Sequence, residues 1–247
     1  DPPKYRWRGQ PLNAGWVTTF NRHAVVSENR CTKVPPTTSP EASALFGCAI
    51  TTGFGVVENN ARLRMGESVV VFGAGGIGLS IIQAAALLSA SQIIAVDLHN
   101  SRLELARKLG ATQTINSREG DTETLIREGL KGQPLNVFID NTGLPQVIEL
   151  GYKITHSQGR VILVGVPLQG NNVSLHTLPL HFGKLLSGSH GGESQPDQDI
   201  PRYIRLIENG LLKLDQLVSA RFQLDQINEA IAAIRDGSTA GRVMLEL

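Results

Sequence analysis

The chain has 247 residues, with 23 basic and 22 acidic side chains for a net charge of +1, and 41% of its residues are hydrophobic. A balance this even, without long charged blocks, excludes the electrostatic footprint that nucleic acid or anionic lipid requires. Two cysteines, Cys31 and Cys48, are too few for a disulfide framework and point to a reducing compartment, with the cytoplasm as the expectation.

The first residues, "DPPKYRWRGQ", lack the apolar core of a signal peptide, and no apolar run is read as long enough to cross a bilayer. The chain reads as soluble. Because it opens on Asp1 in a segment with no packing pattern of its own, it also reads as a fragment. From Arg6 to Val34, "WVTTF" and "HAVVS" carry β-branched and aromatic residues and predict a small β-rich unit. The run "VPPTTSP" ends regular pairing, and "SPEASALFGCAITTGFGVVENNA" resumes with small residues at helical spacing.

A regular alternation follows. Strands are predicted at Ser68–Phe72, Gln92–Asp97, Gln113–Ile115, Val137–Asp140 and Arg160–Val166, and helices at Ile77–Ser89, Ser101–Leu109, Thr122–Leu130 and Pro145–Thr155. Near-continuous apolar strands joined by helical crossovers predict a Rossmann-type, doubly wound parallel sheet of the α/β class. Beyond Gly191 come two helices, in "DQDIPRYIRLIENG" and "LDQINEAIAAIRDG", and a last strand, "RVMLEL". This tail is expected to pack back on the leading segment. The division is therefore 1–49, a partial β-rich domain; 50–189, the nucleotide-binding domain; and 190–247, the return.

Between the first strand and its helix, "GAGGIG" places Gly73, Gly75 and Gly78 in the pattern G-x-G-x-x-G, with Gly76 and Ile77 inside it. The first glycine permits a tight turn, the second lets the backbone approach a diphosphate, and the third lets helix and strand pack closely. The helix start then offers free N–H groups and the positive end of its dipole. A purely structural glycine turn is the alternative. The second strand ends on Asp97, where a carboxylate accepts hydrogen bonds from both hydroxyls of an adenosine ribose and repels a 2′-phosphate, favouring NAD over NADP. Asp97 capping the helix that starts near Ser101 is the competing reading.

Cys48, taken alone among small apolar residues, reads more readily as a buried hydrophobe than as a metal ligand. However, the succession "FGCAITTGFG", "VVVFGAGGIGLS" and "IIAVDLHNSRLELARKLGAT" resembles the zinc-containing alcohol dehydrogenases of the medium-chain dehydrogenase/reductase family. The resemblance runs across nearly the whole chain. It implies a GroES-like catalytic domain formed by both chain ends beside the Rossmann domain. It also implies Cys48 as one of three protein ligands of a catalytic zinc and Thr52 against the nicotinamide. Arg102 is implied at the adenosine ribose, Thr142, Val164 and Val166 on the nicotinamide side, and Arg242 on the diphosphate.

The resemblance further implies that the other two zinc ligands, the start of the proton relay and a four-cysteine structural lobe belong to a segment preceding Asp1. His23, His99, His156, His176, His181 and His190 match no ligand position. The expected parent activity is hydride transfer between a small alcohol or aldehyde and NAD, with zinc as Lewis acid. This stretch by itself is expected to bind NAD and to be catalytically incomplete. A zinc-free reductase of the quinone oxidoreductase kind and a non-catalytic NAD-binding module are the alternatives. No nucleic-acid or membrane partner is expected. The stretch "NVSLHTLPLHFGKLLSGSH" resembles the region where family members pair strands across a two-fold axis, which implies a homodimer or homotetramer.

Overall fold

The computed structural model describes residues 5–12, 20–237 and 239–247. At its start, β1 (Tyr5–Trp7) and β2 (Gln10–Leu12) form a short antiparallel hairpin. The strand expected in "HAVVS" does not form. His23–Ser27 is irregular and Val25 is fully exposed, so these β-branched side chains lie on no pleated surface. "WVTTF" falls outside the described residues except for Phe20.

Helix α1 (Pro40–Asn60) starts where the Ser39 hydroxyl accepts the Ala42 N–H at 3.1 Å, with proline in the first turn. It widens into i→i+5 turns at Phe46–Ile50 and Val56–Asn60. A stretch of 18 residues within this 21-residue helix reaches a mean hydropathy of 1.2, which by length and composition alone corrects the expectation that no run is long and apolar enough to cross a bilayer. Its glycines and threonines interrupt the pattern to the eye without lowering the average below that level. In the fold 61% of the stretch is buried, with Phe46, Ile50, Phe54, Val56 and Val57 in the protein core.

The sheet is then laid down by β3 (Ser68–Phe72), α2 (Gly76–Leu87), β4 (Gln92–Asp97), α3 (Asn100–Lys108) and β5 (Gln113–Asn116). There follow α4 (Thr122–Gly129), β6 (Val137–Asp140), α5 (Pro145–Ile154), β7 (Arg160–Leu163) and β8 (Leu185–Gly188). Its six strands run in the order β5-β4-β3-β6-β7-β8, and every neighbouring pair is parallel. Strand β7 stops three residues before the expected Val166, because the N–H groups of Val164 and Gly165 both turn onto the Asp140 carbonyl.

Period-two alternation divides the strands between two cores. Val69 and Val71 face one, with α1 and α2; Val70 faces the other, with Ile126 of α4 and Val147 and Tyr152 of α5. Full burial of each such Val or Ile is worth about 1.5–3 kcal/mol, so the apolar strands carry the stability of the sheet. Helix α2 buries Leu79, Ile81, Ile82, Ala84 and Ala85 on several faces, since it is wedged between the sheet and α1.

The tail adds α6 (Pro196–Glu208), β9 (Val218–Gln223), α7 (Ile227–Arg235) and β10 (Arg242–Glu246), with β9 and β10 forming a separate parallel pair. Ile200, Tyr203, Ile204, Leu212 and Leu217 join the core of α1 and α2, and the rings of Phe54 and Tyr203 meet at 4.9 Å. Arg202 bridges to Glu58 at 2.7 Å, and Arg221 pairs with Glu41. The tail therefore closes over α1.

Helices α1 and α2 approach closely at Gly53, where an added Cβ lies 2.5 Å from the Ser80 Cβ; at Gly47, on the same helix, it meets nothing within 4 Å. Gly53→Ala is expected to cost roughly 1–3 kcal/mol by overpacking, while Gly47→Ala is neutral or slightly stabilising. Urea unfolding of the two variants beside the parent chain checks the contrast.

Candidate functional site

A cleft of about 700 Å³ opens at the carboxyl ends of β3, β4, β6 and β7. The chain winds outward from β3 through β4 to β5, then returns to β6 on the other side of β3, so the loops after β3 and β6 splay apart there. Three groups of side chains and backbone atoms meet in this crevice.

The first is the glycine turn. Gly73 adopts φ +92°, a conformation that favours glycine, and donates its N–H to the Val96 carbonyl at 2.8 Å. Gly75 occupies the cap position of α2 and has no side chain to satisfy the first N–H groups of the helix. Those groups and the helix dipole make the turn electropositive. Arg242, at the start of β10, lies directly over Gly76: an added Cβ there is 2.9 Å from the Arg242 Nη1 and closer still to Cδ. Among the described residues no carboxylate comes within ion-pair distance of Arg242. A helix start and an unpaired guanidinium on the same spot repel each other unless an anion lies between them.

The second group lies at the end of β4. Asp97 is only 6% exposed; its Oδ2 accepts the Ala74 N–H at 2.8 Å and its Oδ1 accepts the His99 N–H at 3.0 Å, with Arg102 Nη1 at 3.7 Å. It does not cap α3, which starts at Asn100 with His99 in the cap position and no side-chain cap bond. Asp97 instead pins the glycine turn to the end of β4, and its remaining lone pairs are open to hydroxyl donors.

The third group forms the far wall. Asp140 is fully buried at the end of β6: its Oδ1 accepts the Thr142 N–H at 2.8 Å and the Thr142 hydroxyl at 2.6 Å, and its Oδ2 accepts the Gly143 N–H at 2.9 Å. The turn so formed lies against the loop after β7, where an added Cβ on Gly143 meets the Val166 carbonyl oxygen at 2.8 Å. Thr142, Val164 and Val166 thereby line the cleft together.

Gly73, Gly75, Gly76, Ile77, Gly78, Asp97, Arg102, Thr142, Val164, Val166 and Arg242 thus share one cleft. Cys48 and Thr52 are not on its walls. Cys48 is exposed in the first widened turn of α1, which rules out its reading as a buried hydrophobe, and Thr52 is buried one turn on. Among the described residues no three His, Cys, Asp or Glu side chains converge as a metal site. A loop after β8 holds α1 in place: the Ser194 hydroxyl donates to the Thr51 carbonyl at 2.6 Å, and Asn59 Nδ2 donates to the Gly192 carbonyl at 2.9 Å.

Sequence reading missed Asp140, Asn141, Ser117 and Gln146, of which all but Asp140 line the cleft, as does His99 beside Asp97. A buried strand ending in Asp and running into Asn-Thr-Gly is turn chemistry, and it was the available signal for the first two.

A doubly wound sheet with an anion-ready helix start at its switch point and an acidic residue closing the next strand defines a dinucleotide-type α/β fold. Residues 76–209 match the zinc-binding dehydrogenase family. The chain is 32% identical over 240 residues to S-(hydroxymethyl)glutathione dehydrogenase from Photobacterium damsela subsp. piscicida, covering 96% of this chain and 65% of that protein. An alcohol dehydrogenase zinc-binding domain protein from Burkholderia ambifaria superposes with a TM-score of 0.84 at 38% identity, over 91% of this chain and 60% of that one. Benzyl alcohol dehydrogenase from Acinetobacter calcoaceticus superposes with a TM-score of 0.82 at 36% identity, over 88% and 60%. The chain belongs to the zinc-binding dehydrogenases, the zinc-containing alcohol dehydrogenases of the medium-chain dehydrogenase/reductase family. It spans about two thirds or less of the length of each of these relatives.

Two glycines of the turn have separable roles. An added Cβ on Gly78 collides with the Gly73 carbonyl, whereas one on Gly75 meets nothing within 4 Å. Gly78→Ala is expected to lose roughly 1–3 kcal/mol of stability and Gly75→Ala less than about 0.5 kcal/mol. Chemical denaturation midpoints measured without ligand distinguish the two.

Proposed function

We propose that this chain carries the coenzyme-binding fold of an NAD-dependent, zinc-containing dehydrogenase that moves hydride between a small alcohol and its aldehyde or ketone. One observation carries the reading: the unpaired Arg242 guanidinium lies over the unsatisfied start of α2, with Asp97 at one end of the cleft and Thr142 at the other. In this reading the helix start and Arg242 hold the diphosphate. Asp97 accepts from the adenosine ribose hydroxyls and excludes a 2′-phosphate by charge repulsion, while Arg102 steadies its carboxylate. Val164 and Val166 supply an apolar wall on the nicotinamide side and limit water there. NAD, when bound, supplies the hydride acceptor.

Zinc enters the reading through the family, and Cys48 is its candidate thiolate. The described residues do not by themselves assemble a zinc site, so no step is derived through the metal. Thr52, one turn beyond Cys48 on α1, is proposed to face the nicotinamide. The domain division at 1–49, 50–189 and 190–247 and a cytoplasmic location belong to the same proposal. So does a homodimer or homotetramer built on the open edge of β8, near which Leu178, Phe182 and Leu185 are exposed.

Calorimetric titration tests the coenzyme. NAD is expected to bind at least about tenfold more tightly than NADP, and Asp97→Ser to reduce that preference by a further factor of about ten. Gly75→Ala, which leaves the fold intact, is expected to weaken NAD binding by about tenfold or more. Equal affinity of the parent chain for the two coenzymes contradicts the role of Asp97.

A further inference from the structure

We infer that Asp140 acts through Thr142 to fix the direction of a hydrogen bond at the far end of the cleft, leaving the Thr142 hydroxyl able to accept and unable to donate, so that it receives a hydroxyl of the coenzyme's second sugar. The inference rests on the proposed binding of NAD and goes beyond it by assigning the polarity of one contact and the residue that sets it.

A threonine hydroxyl has one donor and two acceptor lone pairs, and ordinarily rotates to suit its partner. Here it cannot. The Asp140 carboxylate is an acceptor only, and its Oδ1 lies 2.6 Å from Thr142 Oγ1, a short charge-assisted contact that claims the hydroxyl proton. The backbone locks the geometry: Oδ1 also takes the Thr142 N–H and Oδ2 takes the Gly143 N–H. Asp140 is fully buried, and no cation lies within ion-pair distance of it among the described residues, so these three donors are its compensation and are costly to give up. The Leu144 N–H, at 3.2 Å, fills one lone pair of Thr142 Oγ1. A single acceptor site therefore remains, on a side chain that lines the cleft.

Position completes the argument. The cleft runs from Asp97 at the end of β4, past the start of α2, to Thr142 just beyond β6. A ligand with one sugar at Asp97 and its diphosphate at α2 and Arg242 brings its second sugar to the Thr142 end. A ribose hydroxyl there donates into the open lone pair. A phosphate or carbonyl oxygen at the same point faces lone pair to lone pair and is disfavoured. Thr142 is thus a binding residue and Asp140 a positioning residue.

The test is calorimetric titration of NAD, ADP-ribose and AMP against the parent chain, Thr142→Val, Thr142→Ser and Asp140→Asn. AMP reaches only the Asp97 end. Thr142→Val is expected to weaken NAD and ADP-ribose by about five- to tenfold and leave AMP within about twofold, while Thr142→Ser stays within about twofold of the parent for all three. Asp140→Asn sets a buried N–H₂ against one of the three donors and is expected to show the same selective loss. Should it fail to fold, the Val and Ser pair decides the Thr142 contact and Asp140→Glu, which keeps an acceptor but shifts it, reads the positioning role: parent-like NAD affinity in either folded Asp140 variant overturns that role. Unchanged NAD affinity in Thr142→Val, or a parallel loss for AMP, overturns the inference while leaving the coenzyme assignment intact. Failure of the parent chain to bind any of the three ligands removes both.

Discussion

The first turn of α2 passes so close to the end of β3 that position 78 has no room even for a methyl group beneath the Gly73 carbonyl. This approach determines where the unsatisfied N–H groups of the helix emerge, and the rest of the site is arranged around them. Asp97 reaches the same turn through the Ala74 N–H, and Asn141 Nδ2 reaches it through the carbonyls of Phe72 and Gly73 at 3.3 Å. The ends of β4 and β6 are therefore both referenced to one loop. Arg242 comes from a strand far away in the chain, yet it reaches the same spot because α6 and the segment after it close over α1. A cleft assembled on strand ends and a helix start has little freedom to misplace its charges.

How much of this is legible in the sequence depends on the range of the interaction. Apart from the end of β7, which falls three residues early, the strands from Ser68 to Leu163 and their crossover helices are readable within a residue or two, because runs such as "VVVF" and "QIIAVD" are buried on both faces and carry their own signal. The glycine turn is readable because its chemistry is local. What fails is what depends on a distant partner. "HAVVS" has strand-like residues and pairs with no strand among the described residues, and α1 hides its length behind glycines that let Ser80 and the loop at Gly192 come close. Asp140 escaped notice for a related reason: a carboxylate closing an apolar strand looks like a strand end, and its importance lies in the three donors that fold back on it.

Cys48 and Thr52 illustrate the limit from the other side. Both were singled out by resemblance, and both sit on α1, outside the walls of the cleft. Among the contacts that hold α1 in place are Ser194 to Thr51 and Asn59 to Gly192, across a loop with two consecutive glycines at positive φ. Neither contact has any pattern in the chain. Each joins residues more than 130 positions apart.

The apolar character of α1 has a consequence during synthesis. Its 21 residues leave the ribosome before the strands and helices that cover them, and Tyr203, whose ring packs at a tilt against Phe54, follows by about 7–30 s at roughly 5–20 residues per second. Throughout that interval the nascent chain displays a segment with the length and hydropathy of a bilayer span. Shelter for Phe46, Ile50 and Phe54 is complete only once the tail has been made and folds back over them.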